Sequence, residues 1–412
     1  MKYDLIIIGA GAAGLSAAAH ITPETKVLLL EKMNSAGRKL AVTGGGRCNY
    51  TSTLPNDEQL KHIRNGFFLK HSFKVFPPQA VVKWFGGLGV ESAVEEETKL
   101  FATNISARQI ADRMLQQALQ QGCEFRQAAV TSLKISAGNI CGVVLENGEE
   151  IDCRAVLLAT GGSSYPGTGS AGDGYRLAEA AGHQIVQPLP ALTPLETGGI
   201  ATAEISGVVL DNVNISLIIN QKKTAETSGI LLFTHTGISG PAALSISGRA
   251  VRALAGQQKV SLEVDFYPKW SPDKADFDFQ QLLNLNGKKN ISNILSQLLP
   301  ASLADLLLKT AGISAGKKGA EINGENRKLL LKFIKRCPLD INGYKGWKEA
   351  MVTAGGVEIA EISPKTLESK LVRGLYFAGE VIDIDGDTGG FNLQAAFATG
   401  VTAVQAVCKQ LL

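Results

Sequence analysis

The first hydrophobic run of the chain, YDLIII at positions 3–8, is apolar enough for a buried strand. It passes through Gly9, Gly11 and Gly14 into the small-residue stretch that ends near His20. A second apolar run, KVLLLE, closes on Glu31. The pattern predicts a strand, a helix to about His20 and a second strand over Lys26–Leu30, a βαβ start that favours a parallel sheet. Further on, SARQIADRMLQQALQQG (Ser106–Gly122) carries apolar residues at helical spacing between an N-cap serine and a terminal glycine, which predicts a crossover helix. The segment NICGVVLENGEEIDC holds two apolar runs joined across Asn147 and Gly148, the signature of a hairpin. RAVLLATGG (Arg154–Gly162) reads as a buried strand that enters a glycine loop.

From about Pro190 the pattern changes to alternating strands, among them NVNISLIIN, GILLFTH and KVSLEVDF, which predict an antiparallel sheet or small barrel. Between about Ser271 and Cys337 it turns into short amphipathic helices, with Pro300 separating two of them. The last segment, LYFAGEVIDIDGDTGGFNLQAAFATGVTAVQAVCKQLL, returns to strand, glycine loop and long helix and fits the opening domain best. The expected layout is a first domain over residues 1–190 and 351–412, an inserted β domain over 191–270 with a return segment at 338–350, and an inserted helical domain over 271–337.

Composition changes this picture little. A chain of 412 residues suggests two or three domains. Its 45 glycines gather in clusters such as GGG, ATGG and DTGG, which look like cofactor loops. A formal charge of +3 without a long Lys/Arg block gives no reason to expect a nucleic-acid or membrane partner. The six cysteines have no metal-ligand or CxxC spacing, so no metal site is expected, and reduced thiols fit a cytoplasmic protein. Asp4 interrupts the apolar N-terminus, which does not read as a signal peptide, and no run approaches the length of a membrane span.

The chemistry starts at the first glycines. Gly9 permits the turn out of the strand, Gly11 lets the backbone approach a pyrophosphate, and Gly14 lets helix and strand pack closely. Glu31 stands where a ribose hydroxyl donor is expected, so the N-terminus predicts a dinucleotide. A second GxGxxG, GTGSAG at Gly167–Gly172, has no strand directly before it and no acid-ended strand after it, so a single dinucleotide fold is expected. Both chain ends supply loops, which suits a permanently held FAD. Glu380 and Asp383 offer carboxylates for ribitol hydroxyls. The helix that opens at Phe391, Asn392 and Leu393 offers N–H groups to the pyrimidine edge of a flavin, where negative charge develops on reduction.

Four blocks carry a resemblance: GRKLAVTGGGRCNYT (Gly37–Thr51), ATGGSSYPGTGSAGDGY (Ala159–Tyr175), FTHTGISGPAAL (Phe233–Leu244) and AGEVIDIDGDTGGFNLQAAFATG (Ala378–Gly400). With the N-terminal glycines they resemble the three-domain bacterial flavoproteins labelled BaiN-like or YhiN-like NAD(P)/FAD-dependent oxidoreductases. The resemblance implies an α/β fold with a Rossmann-like FAD-binding domain of the glutathione-reductase type, an inserted antiparallel, barrel-like β domain and a small inserted helical domain. It implies that Lys39, Gly44, Gly45, Gly46, Arg47 and Asn49 lie near the flavin and that Val130 reaches adenine through its backbone. Ala12, Ala13, Lys32 and Arg38 complete the expected cofactor set near the N-terminus, as do Thr160, Gly161, Gly379 and Gly390 in the later blocks.

Flavin performs hydride or electron transfer itself, so the protein has to bind it, tune it and position a substrate. Arg47 is the candidate to neutralise an anionic group of flavin or substrate, its alternative being a surface ion pair. His235, after an apolar strand and before a flexible turn, is the candidate general acid or base. Cys48 lacks the second thiol that a redox centre requires. The expected function is an FAD-dependent oxidoreductase for a small organic substrate, by amine oxidation or enone reduction. Nicotinamide use and oligomeric state stay open. The competing reading is a flavin-bearing binding or regulatory protein whose helical insertion touches a macromolecule such as RNA through Lys317, Lys318, Arg327, Lys328, Lys332, Lys335 and Arg336.

Overall fold

A computed structural model describes residues 2–96, 98–198 and 201–411. The chain divides into two compact units, Met1–Leu189 with Met351–Leu412, and Pro190–Ala350, so the β and helical insertions fall within one unit.

The first unit is built on a seven-stranded sheet. Glu124–Gln127, Val27–Glu31, Tyr3–Ile8 and Glu150–Leu158 lie side by side and parallel. Glu150–Leu158 is one strand with two jobs. Its first residues pair antiparallel with Asn139–Leu145, and its last three pair parallel with Leu375–Phe377. The hairpin and the buried strand that the pattern separates are therefore continuous through Cys153. Leu5, Ile6 and Ile7 are fully buried, which explains why the run is apolar on both faces. The predicted crossover helix forms over Ala107–Gln120, where Ser106 and Gln109 make a reciprocal capping box. The C-terminal helix Phe391–Leu411 crosses the first helix, Ala12–Ala18, so closely that a Cβ at Gly400 would stand 2.3 Å from the Ala13 carbonyl.

The second unit contains a closed six-stranded barrel in the order Leu195–Gly198, Gly237–Ser239, Lys222–Thr234, Val209–Ile219, Val260–Asp265, Cys337–Tyr344. Val213, Ile215 and Leu217 are fully buried at alternate positions, as period-2 patterning requires. The pattern misses the helix Pro241–Ala255, which Pro241 opens at its first position and which buries Leu244, Ile246, Ala250 and Val251. Four helices fill the segment read as helical: Ala275–Leu285, Ile291–Leu295, Ala301–Thr310 and Gly324–Lys335. Pro300 caps the third of them. Among the described residues no helix is long and apolar enough to cross a membrane, and no group of three or more His, Cys, Asp or Glu is placed to hold a metal ion.

Candidate flavin site

Three parallel strands end together, and the sequence places a glycine at each end. Gly9 follows Tyr3–Ile8, Thr160 and Gly161 follow Glu150–Leu158, and Gly379 follows Leu375–Phe377. In an open α/β sheet the crevice beyond the carboxyl ends of the strands is where ligands bind. Gly9 has φ +102°, and a Cβ there would meet the Ala159 carbonyl at 2.6 Å. A Cβ at Gly14 would stand 1.9 Å from the Gly9 carbonyl. Gly11, by contrast, has nothing within 4 Å of a Cβ position. Two of the three fingerprint glycines are thus demanded by the fold itself, and the third leaves open the space that a pyrophosphate would take. Ala12 and Ala13 form the first turn of the helix, and Ala13 packs against Gly379, where a Cβ would come within 2.9 Å.

Glu31 ends its strand with both carboxylate oxygens engaged: one accepts from the Ala10 N–H and the other from the Met33 N–H, each at 2.9 Å. It therefore fixes the glycine loop. The Ala128 N–H donates to the Glu31 carbonyl at 2.9 Å, which brings the start of the strand Val130–Ser136 beside it. Lys32 pairs with Asp173. Burial would raise the Asp173 carboxyl, but the hydrogen bonds and charges of Lys32 and Arg176 outweigh it and hold the group low. Arg38 donates to Asn34 Oδ1 at 3.0 Å, while its Nε is buried without a partner among the described residues. A buried, unpartnered guanidinium nitrogen near the glycine loops and the open Gly11 position both fit an anionic dinucleotide.

The two carboxylates expected to face ribitol hydroxyls are committed elsewhere. Glu380 receives Lys39 Nζ at 2.5 Å, Ser164 Oγ at 3.0 Å and the Thr353 N–H at 2.6 Å, and Lys39 also donates to Ser164 Oγ at 2.6 Å. Asp383 is buried and takes Arg64 Nη1 at 3.0 Å and Asn65 Nδ2 at 3.1 Å. Arg64 Nε reaches Asp385 at 2.5 Å. Burial alone would lower the Arg64 pKa, but the two carboxylates raise it above its ordinary value. Held by a guanidinium and an amide, the buried Asp383 ties the strand Ile63–Arg64 to Asp385–Gly386. Arg64, Asn65, Ser164 and Thr353 were all missed. Ser164 sits inside the ATGGSSYPG block and could have been found there. Arg64 and Asn65 carry no local signal.

The loop that begins at Gly37 does reach the C-terminal helix. With its amide turned so that the nitrogen faces the carbonyls, the Asn49 side chain donates to the Thr51 and Leu100 carbonyls at 3.3 and 3.2 Å and accepts from the Gly390 N–H at 3.2 Å. A Cβ at Gly390 would stand 2.5 Å from the Thr51 carbonyl. Gly44 packs against Asn49, while Gly45 and Gly46 face open space. The Asn392 side chain both accepts from and donates to the Gly386 backbone at 2.8 Å, and Leu393 packs on the core. The Phe391 ring lies parallel to His62 with centroids 4.7 Å apart, and His62 reaches Asp387 at 3.1 Å. The first N–H groups of the helix Phe391–Leu411 have no intrahelical acceptor and stand at the edge of this loop.

Arg47 takes the surface ion pair that was its alternative in the sequence reading. Its guanidinium pairs with Glu95, with Nη1 3.2 Å from the carboxylate, and lies 4.8 Å over the Phe101 ring at an exposed position. Cys48 is fully buried, and burial pushes its thiol up to about 12, against a smaller opposing hydrogen bond with Thr43, which makes it a poor redox centre. His235 belongs to the other unit. It occupies an exposed two-residue turn between Lys222–Thr234 and Gly237–Ser239.

The profile described as HI0933-like protein Rossmann domain matches residues 3–406. A 3-dehydro-bile acid delta(4,6)-reductase of Clostridium scindens is 29% identical over 98% of both chains. A ribosomal RNA dihydrouridine synthase of Haemophilus influenzae is 32% identical, again over 98% of both. The fold is also that of a 3-ketosteroid delta1-dehydrogenase from Sterolibacterium denitrificans, with a TM-score of 0.54 and 13% identity over 99% of each chain. The match over nearly the whole chain shows that it belongs to the HI0933-like Rossmann family and is an FAD-dependent oxidoreductase.

Proposed function

We propose that this enzyme reduces a carbon–carbon double bond conjugated to a carbonyl. The observation that carries the site is the junction of Asn49 and Thr51 with Gly390, which sets the glycine loop against the N-terminus of the helix Phe391–Leu411. The direction is supported by the two relatives: a delta(4,6)-reductase of a 3-dehydro compound and a dihydrouridine synthase both add hydrogen across a double bond conjugated to a carbonyl. Full-length similarity to two such enzymes favours a catalyst over a flavin-bearing binding protein. When bound, reduced FAD supplies the hydride for the carbon distant from the carbonyl, and a two-electron donor such as NADH or NADPH restores it.

The chain's own residues bind and orient. The backbone from Gly9 to Ala13 takes the pyrophosphate, with Arg38 beside it and Glu31 at the ribose. Lys39, held by Glu380 and Ser164, fixes the loop from Gly37 against the turn at Gly379. The N–H groups of Phe391, Asn392 and Leu393 favour the negative charge that gathers on a reduced ring. His235, on its exposed barrel turn, stays a proposed general acid or base. In His235→Asn the pH–rate profile is expected to lose one limb, and an unaltered profile rejects that role.

The reaction class is tested by anaerobic incubation of the flavin-loaded enzyme with NADPH or NADH and a cyclic enone, with the product read by mass spectrometry. The expected product has gained one molecule of hydrogen. Peroxide formation from amines in air, with no enone reduced, rejects the proposal in favour of an amine oxidase.

A further inference from the structure

We propose that Lys288, Lys289, Lys317 and Lys318 form a docking site for the phosphates of an RNA strand. The proposal rests on the reading above, because a uracil ring contains the conjugated double bond that the enzyme is proposed to reduce.

Two loops of the inserted unit carry these lysines and are braced against each other. The Ile291 N–H donates to the Lys317 carbonyl at 2.7 Å, the Gly319 N–H to the Lys289 carbonyl at 3.0 Å, and the Ala320 N–H to the Gly287 carbonyl at 3.1 Å. Asn290 and Lys318 form a β-bridge, and Lys318 Nζ reaches Asn290 Oδ1 at 2.7 Å. Lys288, Lys289 and Lys318 are exposed and Lys317 is half-buried.

Three other basic side chains of the same segment have acids. Arg327 holds Asp276 at 2.9 Å, Lys335 holds Asp265 at 2.6 Å, and Lys309 holds Glu204 at 2.7 Å. Among the described residues, none of the four loop lysines has an ion pair. The Glu321 carboxylate accepts from the Lys318 backbone N–H at 2.7 Å. The excess positive charge of the protein also lies in this unit, where residues 190–350 hold nineteen Lys and Arg against fourteen Asp and Glu.

Four ammonium groups on a rigid pair of loops repel one another until an anion neutralises them. A strand of regularly spaced monoanions suits them better than a single acidic side chain, and lysine contacts phosphate as a point charge. Leu285, three residues before Lys288, is 83% exposed and offers an apolar contact for a base or ribose at the edge of the patch. The sequence alone pointed to a broader basic surface that included Arg327 and Lys335. The structure removes both from it and adds Lys288 and Lys289.

Binding is tested with a fluorescently labelled, uridine-containing RNA hairpin and the flavin-loaded protein, by anisotropy across a salt series. Replacing all four lysines by glutamine is expected to weaken binding by about tenfold or more and to flatten the slope of log affinity against log salt by up to about three. The pair Lys317→Gln and Lys318→Gln alone is expected to give roughly half that change in slope. The flavin spectrum confirms that each variant is folded. Unchanged affinity and slope in a folded four-lysine variant overturn the proposal. So does tighter, lysine-dependent binding to phosphatidylglycerol vesicles than to RNA. Dihydrouridine is measured in the same samples. RNA held through the lysines without product rejects the reductase reading and keeps the docking site. Product formed as efficiently by the four-lysine variant rejects the docking site alone.

Discussion

The two units of this protein treat space and charge in opposite ways. In the flavin unit nearly everything near the crevice is committed: Gly9 and Gly14 leave no room for a methyl group, Lys39 is held by Glu380, Arg64 by Asp383 and Asp385, and even exposed Arg47 by Glu95. The open places are Gly11, Gly45 and Gly46, together with the buried Arg38 nitrogen. In the helical part of the inserted unit Lys309, Arg327 and Lys335 hold acids, while Lys288, Lys289, Lys317 and Lys318, gathered on two braced loops, have no ion pair among the described residues. Committed charge builds a frame, and uncommitted charge marks where a ligand is to come.

The sharpest way to break this contrast is inside the fingerprint. Gly14→Ala drives a methyl group into the Gly9 carbonyl and is expected to cost about 3 kcal/mol or more, read by urea denaturation. Gly11→Ala is expected to fold with the melting temperature of the flavin-free wild type and to bind no flavin. Equal behaviour of the two variants would remove the distinction between a glycine the fold needs and one the cofactor needs.

Next in size is Arg64→Met, which leaves two mostly buried carboxylates without their cation and is expected to destabilise by about 3 kcal/mol. A loss below about 1 kcal/mol would mean that the cluster behaves as a surface pair.

His183 provides a pH-dependent test of the same frame. It is buried between Glu361 at 3.0 Å and Ser369 at 2.8 Å, and burial lowers its pKa from 6.5 although Glu361 opposes the shift. As pH falls, the unfolded chain takes up the proton first, so this contribution is full above 6.5 and is lost as pH drops from there through the lower folded value. The denaturation midpoint is expected to fall over that window in the wild type and to fall less in His183→Gln. Identical pH dependence of the two proteins assigns the decline to other groups. The smallest effect is expected where charge is uncommitted: Lys288→Gln with Lys289→Gln should leave the melting temperature unchanged, and a clear decrease would show that these lysines have structural work.

What the sequence made legible was local. The strand–glycine–helix start, the N-cap at Ser106 and the barrel strands follow from periodicity and turn residues within short windows. The helix Pro241–Ala255 was missed because its residues, PAALSISGRAVRALA, are small and mixed enough to hide the helical period behind a glycine-rich entry. The partners of Asp383 were illegible for a different reason: Arg64 lies 319 residues away, and only the pairing of Ile63–Arg64 with Asp385–Gly386 brings it close. The same separation hid the acid for Lys39 and made Glu380 look free. Which lysines would be unpaired was equally beyond the sequence, since Arg327 and Lys335 read as basic surface until Asp276 and Asp265 fold against them.

The central claim is that this is a flavin enzyme which reduces a conjugated double bond. It is tested most directly by a single turnover: the flavin-loaded protein is photoreduced without oxygen, a cyclic enone is added, and the yellow absorbance is followed. The expected result is rapid reoxidation of the flavin, with one equivalent of saturated product formed per flavin. A flavin that stays reduced with a panel of enones and with uridine-containing RNA, and recovers its colour only when oxygen enters, would contradict the account.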